Sequence, residues 1–148
     1  MRRSAEPLPV HRYVPGQSSR HPEDAFDGIR AQADVDPRNA AWVYGLDLAE
    51  AGFYWEAHEV LEAVWLKART GTPERAMIQA IIQLVNAALK QVMGRDKAAL
   101  RLCGMVDALL DQSGTGAMGL QTPRIRDVIT DLRRRIDAGE VTELGRLQ

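Results

Sequence analysis

A chain of 148 residues with 45% hydrophobic and 26% charged residues is long enough for one domain with a real core and too short for two. Nineteen basic residues against twenty acidic ones leave a formal net charge of -1, so no global field gathers nucleic acid or an anionic membrane surface, and neither is expected as a partner. The single cysteine, Cys103, excludes an intrachain disulfide and any Cys-cluster zinc site, and its apolar helical surroundings read as those of an inert buried thiol.

No apolar run reaches the length of a membrane span, because Gln79, Gln83, Asn86 and Lys90 interrupt the best candidate, Met77 to Met93. Arg2 and Arg3 have no apolar segment behind them, so no signal peptide is read and a cytoplasmic location is expected.

Residues 1–22 carry Pro7, Pro9, Pro15, Gly16 and Pro22, which propagate neither a helix nor a central strand, so this is an extended N-terminal arm. Leu8, Val10, Tyr13 and Val14 give it apolar surface to lay along the rest, a single helical domain over 23–148. A turn or two of helix is expected within 23–33. Asp36-Pro37 reads as a helix start, with Asp as cap and Pro in the first turn, and that helix runs to Ala51 before Gly52 ends it.

The next helix is expected from Phe53 to Ala68, ahead of the Thr70-Gly71 turn. Thr72-Pro73 then opens the longest helix, closed by Gly94. Asp96 is read as the cap of a helix whose stripe is Ala99, Leu102, Cys103, Val106, Leu109 and Leu110, fading into a flexible loop at Ser113-Gly114-Thr115-Gly116. Thr122-Pro123 opens the last helix, with Arg133, Arg134 and Arg135 at its C-terminal end as a solvated face that complements the dipole. No period-2 alternation occurs between turn signals, so the fold class is all-α, a compact bundle of about five helices.

The densest chemistry lies in Phe53-Tyr54-Trp55-Glu56-Ala57-His58-Glu59-Val60-Leu61-Glu62-Ala63-Val64-Trp65. At about 100° per residue, Trp55, His58, Glu59, Glu62 and Trp65 fall on one arc and Ala57, Val60, Leu61 and Val64 on the next. His58 and Glu62, one turn apart, can share one divalent metal ion, and His58-Glu59-Val60-Leu61-Glu62 reads as the zincin helix with its second histidine replaced by glutamate. In that logic His58 and Glu62 are metal ligands and Glu59 is the catalytic general base on metal-bound water. A third ligand is needed. The candidates are His21 from the arm, with His11, Asp47 and Glu50 behind it, whereas Glu56 points well away from His58.

Arg75, Gln79, Gln83, Asn86 and Lys90 form one polar stripe on the following helix, able to supply donors to buried carboxylates if it turns toward them. Trp55, Glu56, Gln79 and Gln83 are accordingly taken as binding residues. Flanking Trp55 and Trp65 argue that the His/Glu arc is buried. A buried arc of this kind either holds a metal and acts on a small-molecule substrate, or is a structural hydrogen-bond network in a non-enzymatic interaction or ligand-binding module. Several large aromatics on a small helical domain also suit a homo-oligomer, with no residue pattern locating its interface.

Arg12-Tyr13-Val14-Pro15-Gly16, His21-Pro22, Tyr44-Gly45-Leu46-Asp47-Leu48, Gly52 to Glu59 with Glu62 and Trp65, and Gln79-Ala80-Ile81-Ile82-Gln83-Leu84 together resemble the family called domain of unknown function 309, from residue 12 to about 110. The resemblance implies a compact helical domain and carries the label of a predicted metal-dependent hydrolase. It marks Glu56, His58, Glu59, Glu62, Gln79 and His21. The chain departs from the family pattern at Glu50, where Asn is common, and at Lys90, where His is frequent and where a lysine is a poor metal ligand at neutral pH.

Overall fold

A computed structural model describes residues 2–148, so the first residue of the arm lies outside the described residues. The described chain is all-α in class: α1 (Asp27–Arg30), α2 (Ala40–Glu50), α3 (Tyr54–Trp65), α4 (Pro73–Val92), α5 (Asp96–Asp111) and α6 (Thr122–Ala138), with two two-residue strands, β1 (Gly116–Ala117) and β2 (Leu120–Gln121), between α5 and α6. From α2 onward each long helix packs on its neighbour in sequence, and α4 is central, touching α3, α5, α6 and β1. That position explains the run of fully enclosed residues along it, from Met77 and Ile78 through Ile81, Leu84, Val85, Ala87 and Ala88. Among the described residues no helix is long and apolar enough to cross a membrane.

The helix starts show where local capping was read one turn astray. Asp36-Pro37 does not open α2. The Asp36 carboxylate accepts from Arg38 N (2.7 Å) and its carbonyl from Asn39 N (3.0 Å), which closes a separate turn. Asn39 is the cap: its side-chain oxygen accepts from Ala41 N and Trp42 N, both at 3.1 Å, while its amide donates to Gln32 O. Two free N–H groups satisfied by one side chain outweigh the proline's preset φ. Asp96 likewise lies in the first turn of α5 behind Arg95, where its charge suits the helix dipole, and Thr122 lies inside α6. Thr72 does cap α4, accepting from Arg75 N with Pro73 in the first turn.

Gly52, at φ +86°, ends α2, and Phe53 N then bonds back to Leu48 O at 2.9 Å, the six-to-one closure that turns the chain straight into α3.

The loop expected over Ser113-Gly114-Thr115-Gly116 is bend and turn through Thr115 and passes at Gly116 into a hairpin that the sequence did not announce. β1 and β2 pair antiparallel, Ala117 opposite Leu120, around a two-residue turn in which Met118 (φ 56°) and Gly119 (φ 77°) are both left-handed. Left-handed residues at both central positions match the twist of a tight hairpin. The hairpin is locked from below, because the buried Trp42 indole N–H donates to Met118 O at 3.0 Å and Met118 itself is enclosed. Sequence periodicity cannot register a ladder of two residues on each side.

The α6 arginines are paired: Arg133 with Asp107 of α5 at 2.6 Å, and Arg134 and Arg135 with Asp131 at 3.1 and 2.8 Å. Cys103 is fully enclosed, and burial pushes its thiol pKa up, which suits an inert side chain. After α6 the chain continues without regular structure, burying Leu144 and Leu147.

Gly45 sets how closely α2 and α3 approach. A Cβ there would stand 2.3 Å from Leu61 Cδ2 and 2.7 Å from its Cγ, and Leu61 is fully enclosed with nowhere to swing. Gly45→Ala gains helix propensity, yet overpacking at this contact is expected to cost about 1–3 kcal/mol. Urea unfolding of the variant checks this, and stability equal to wild type would show that the helices separate without loss.

Candidate functional site

The arm is held by side chains of α2 and α3. An extended segment has no ladder of its own, so its N–H and C=O groups need partners elsewhere. Asp47, 3% exposed, accepts from Arg3 N at 2.9 Å and Ser4 N at 2.7 Å. Glu50 forms a two-point ion pair with the Arg3 guanidinium at 2.9 and 2.7 Å and also accepts from Leu147 N at 2.7 Å, so both chain ends meet on it. Tyr44 donates its hydroxyl to Pro7 O at 2.7 Å, and burial pushes that hydroxyl up to about 12, keeping it a neutral donor through the physiological range. Arg12 donates to Ala51 O at 2.7 Å.

Glu56 makes the deepest of these attachments. It is fully buried, and its Oε2 accepts from Tyr13 N at 2.7 Å and from His21 Nε2 at 2.6 Å. Its Oε1 is sealed from solvent with no hydrogen-bond partner. The carboxylate that helical projection set apart from the others is thus the buried one. The sequence signal was present, since Val60, Ala63 and Val64 follow Glu56 at four, seven and eight residues, which places an acid on the apolar stripe.

With Glu56 pulling the arm inward, an aromatic cluster closes over Trp55. Tyr13 meets its ring edge-on at 4.9 Å between centroids, and His21 and Phe26 lie at 6.2 and 6.4 Å. His21 is itself stacked by His11 at 4.5 Å. Next to this cluster runs a cleft of about 510 Å³ lined by Arg20, His21, Glu23, Phe26, Asp27, Arg30, Trp55 and Glu59. Arg30 also donates to the Glu59 carbonyl, tying α1 to α3. Three residues singled out from the sequence, His21, Trp55 and Glu59, therefore share one cleft, and a fourth, Glu56, holds His21 in it. Arg20, Phe26 and Arg30 were missed; they lie in the arm and the short α1 stretch, where no helical period marks a face.

The remaining residues do not join them. His58 faces Glu62 at 3.2 Å and Glu59 at 3.7 Å in a half-exposed group. The arc is only partly buried because each flanking tryptophan has its own cover: Trp55 the arm, and Trp65 the Arg75 guanidinium, 4.0 Å above its ring. Arg75 also donates to Ala68 O at 2.7 Å beyond the end of α3. Gln83 accepts from Asn86 at 3.3 Å, and neither Gln79 nor Gln83 lines the cleft.

The metal implied by the resemblance can be tested on these donors. His21 is held by Glu56, His11 by the Ser19 carbonyl, and Asp47 and Glu50 by the arm and tail, while His58 and Glu62 face each other on α3. Among the described residues no three His, Cys, Asp or Glu side chains form a group that could hold a metal ion. The residues described do not fit a resident metal.

In comparison with known proteins, residues 42–102 match the family model described as domain of unknown function (DUF309). The matched stretch takes in α2, α3, α4 and the start of α5, and therefore Glu56, His58, Glu59 and Glu62. No curated protein and no solved structure matches the chain.

The two kinds of histidine–glutamate pair predict opposite mutational costs. Glu56→Ala orphans the buried Tyr13 N–H and the His21 N–H and is expected to cost about 2–4 kcal/mol, at roughly 1–3 kcal/mol per stranded group. His58→Ala removes a solvent-screened pair and is expected to change stability by less than about 0.5 kcal/mol. Parallel urea melts distinguish them, and equal losses would contradict the assignment.

Proposed function

We propose that the protein is a small-molecule-binding module whose site is the cleft between the arm, α1 and α3, with the Glu56–His21 pair as the hydrogen-bond network that builds one wall of it. The observation that carries this reading is the fully buried Glu56 accepting both Tyr13 N–H and His21 Nε2. Burying a carboxylate is costly unless donors surround it, and here both donors come from the arm, so the arm is part of the folded domain and its inner face is a preformed wall.

Phe26 and Trp55 offer flat apolar surface, and Arg20 and Arg30 offer guanidinium groups that pair with planar anions, while the Glu23, Asp27 and Glu59 carboxylates on the same lining suit a cationic group. An aromatic carboxylate that also bears an amino group meets all three. A cleft of about 510 Å³ is of the size that takes such molecules.

Titration of ¹⁵N-labelled protein with aromatic carboxylates that bear an amino group is expected to shift the indole N–H signal of Trp55 and leave that of the enclosed Trp42 unmoved. Arg30→Glu is expected to weaken the binding about tenfold, the loss of one charge-assisted contact of roughly 1.5 kcal/mol. Binding that moves Trp65 instead, or that Arg30→Glu does not affect, would place the site elsewhere.

A further inference from the structure

From the geometry of the Glu56–His21 pair we infer that the cleft is also a hydrolytic site, in which His21 is the general base that activates water against an acyl ester and Glu56 is its positioning residue. This rests on the cleft reading above and adds chemistry to it.

Glu56 Oε2 lies 2.6 Å from His21 Nε2, and the same oxygen accepts from Tyr13 N, so the carboxylate holds the ring as the Nε2–H tautomer. The other ring nitrogen, Nδ1, then carries a lone pair. It has no hydrogen-bond partner among the described residues, while the ring lines the cleft. A buried carboxylate on one nitrogen and an unpaired nitrogen on the other is the arrangement by which an acid fixes an imidazole and stabilises the imidazolium formed in the reaction.

Around the ring stand the other parts that acyl hydrolysis needs. Phe26 and Trp55 can seat an aryl or acyl group, and Arg20 and Arg30 can stabilise negative oxygen. Arg30 uses one Nη on the Glu59 carbonyl and has further N–H groups.

In the step, the oxygen of a water attacks the ester carbonyl carbon while His21 Nδ1 takes the water's proton, and the carbonyl π pair moves onto oxygen beside the guanidinium groups. Collapse re-forms the carbonyl, breaks the bond to the leaving alcohol oxygen and returns the proton from Nδ1–H to that oxygen. Acid and alcohol leave, His21 is regenerated, and nothing is oxidised or reduced.

The test uses the intact protein with p-nitrophenyl acetate. Wild type is expected to release p-nitrophenol catalytically, and His21→Gln, whose Nε2 amide reaches Glu56 as the ring Nε2 does but which has no basic nitrogen, to lower kcat roughly a hundredfold at an unchanged melting temperature. Glu56→Gln, which can face the ring with a donor and reverse the tautomer, is expected to lower kcat with KM retained, an effect that a merely structural role would not give. Added imidazole is expected to restore turnover to His21→Ala. Turnover that His21→Gln keeps, or a wild type no faster than its unfolded form, overturns the inference. If the wild type fails to turn over yet aromatic carboxylates still shift the Trp55 indole, hydrolysis falls and the binding reading stands; if the indole does not move either, both fall.

Discussion

A carboxylate removed from water must find its donors inside the protein, and Glu56 finds both of its donors in a segment that has no secondary structure of its own. Residues 2–22 could not hold a fixed position through backbone ladders, since prolines interrupt them at four places. They are fixed because α3 carries an acid on its buried face, and the Tyr13 amide and the His21 ring close on it. The position of Trp55, the cleft beside it and the orientation of His21 all follow from that contact.

Asp47 and Glu50 repeat the device on α2. Asp47 gathers the amides of Arg3 and Ser4, and Glu50 links Arg3 to Leu147, so the two ends of the chain meet on one helix. Three acids on two adjacent helices thereby convert irregular segments into walls of the domain. This gives a physical use for Glu50 at a position where the resembling family commonly has Asn, because a carboxylate can accept the Arg3 fork and the tail amide together. It also explains why a set of acids that looks like a ligand inventory in one dimension does not assemble as one: most of these acids are already engaged with the termini.

Much of the helical framework was legible from local rules. Thr72-Pro73, Gly52 and Gly94 marked helix ends correctly because capping depends on a few neighbouring residues, and the stripe of α5 identified its buried face because period 3.6 is set within one helix. Asp36 misled because a competing cap, Asn39, stood three residues on, and the Met118-Gly119 hairpin was invisible because two-residue strands carry no period. At the site, Trp55, Glu59 and His21 do share a cleft. What the sequence could not supply was the partner of His21, because the pairing of arm to α3 spans 35 residues and leaves no local pattern. The zincin-like spacing of His58 and Glu62 was real as geometry, at 3.2 Å, but spacing within one helix fixes only two ligands.

Glu56 fastens the arm, and the exchange rate of one amide hydrogen reads that contact. In hydrogen–deuterium exchange of the native protein, Tyr13 N–H is expected to be protected far beyond the amide of the exposed Val10, and to lose that protection in Glu56→Ala while the amides of α4 keep theirs. A Tyr13 amide that exchanges as fast as that of Val10 in the wild type, or that stays protected without Glu56, would contradict the account.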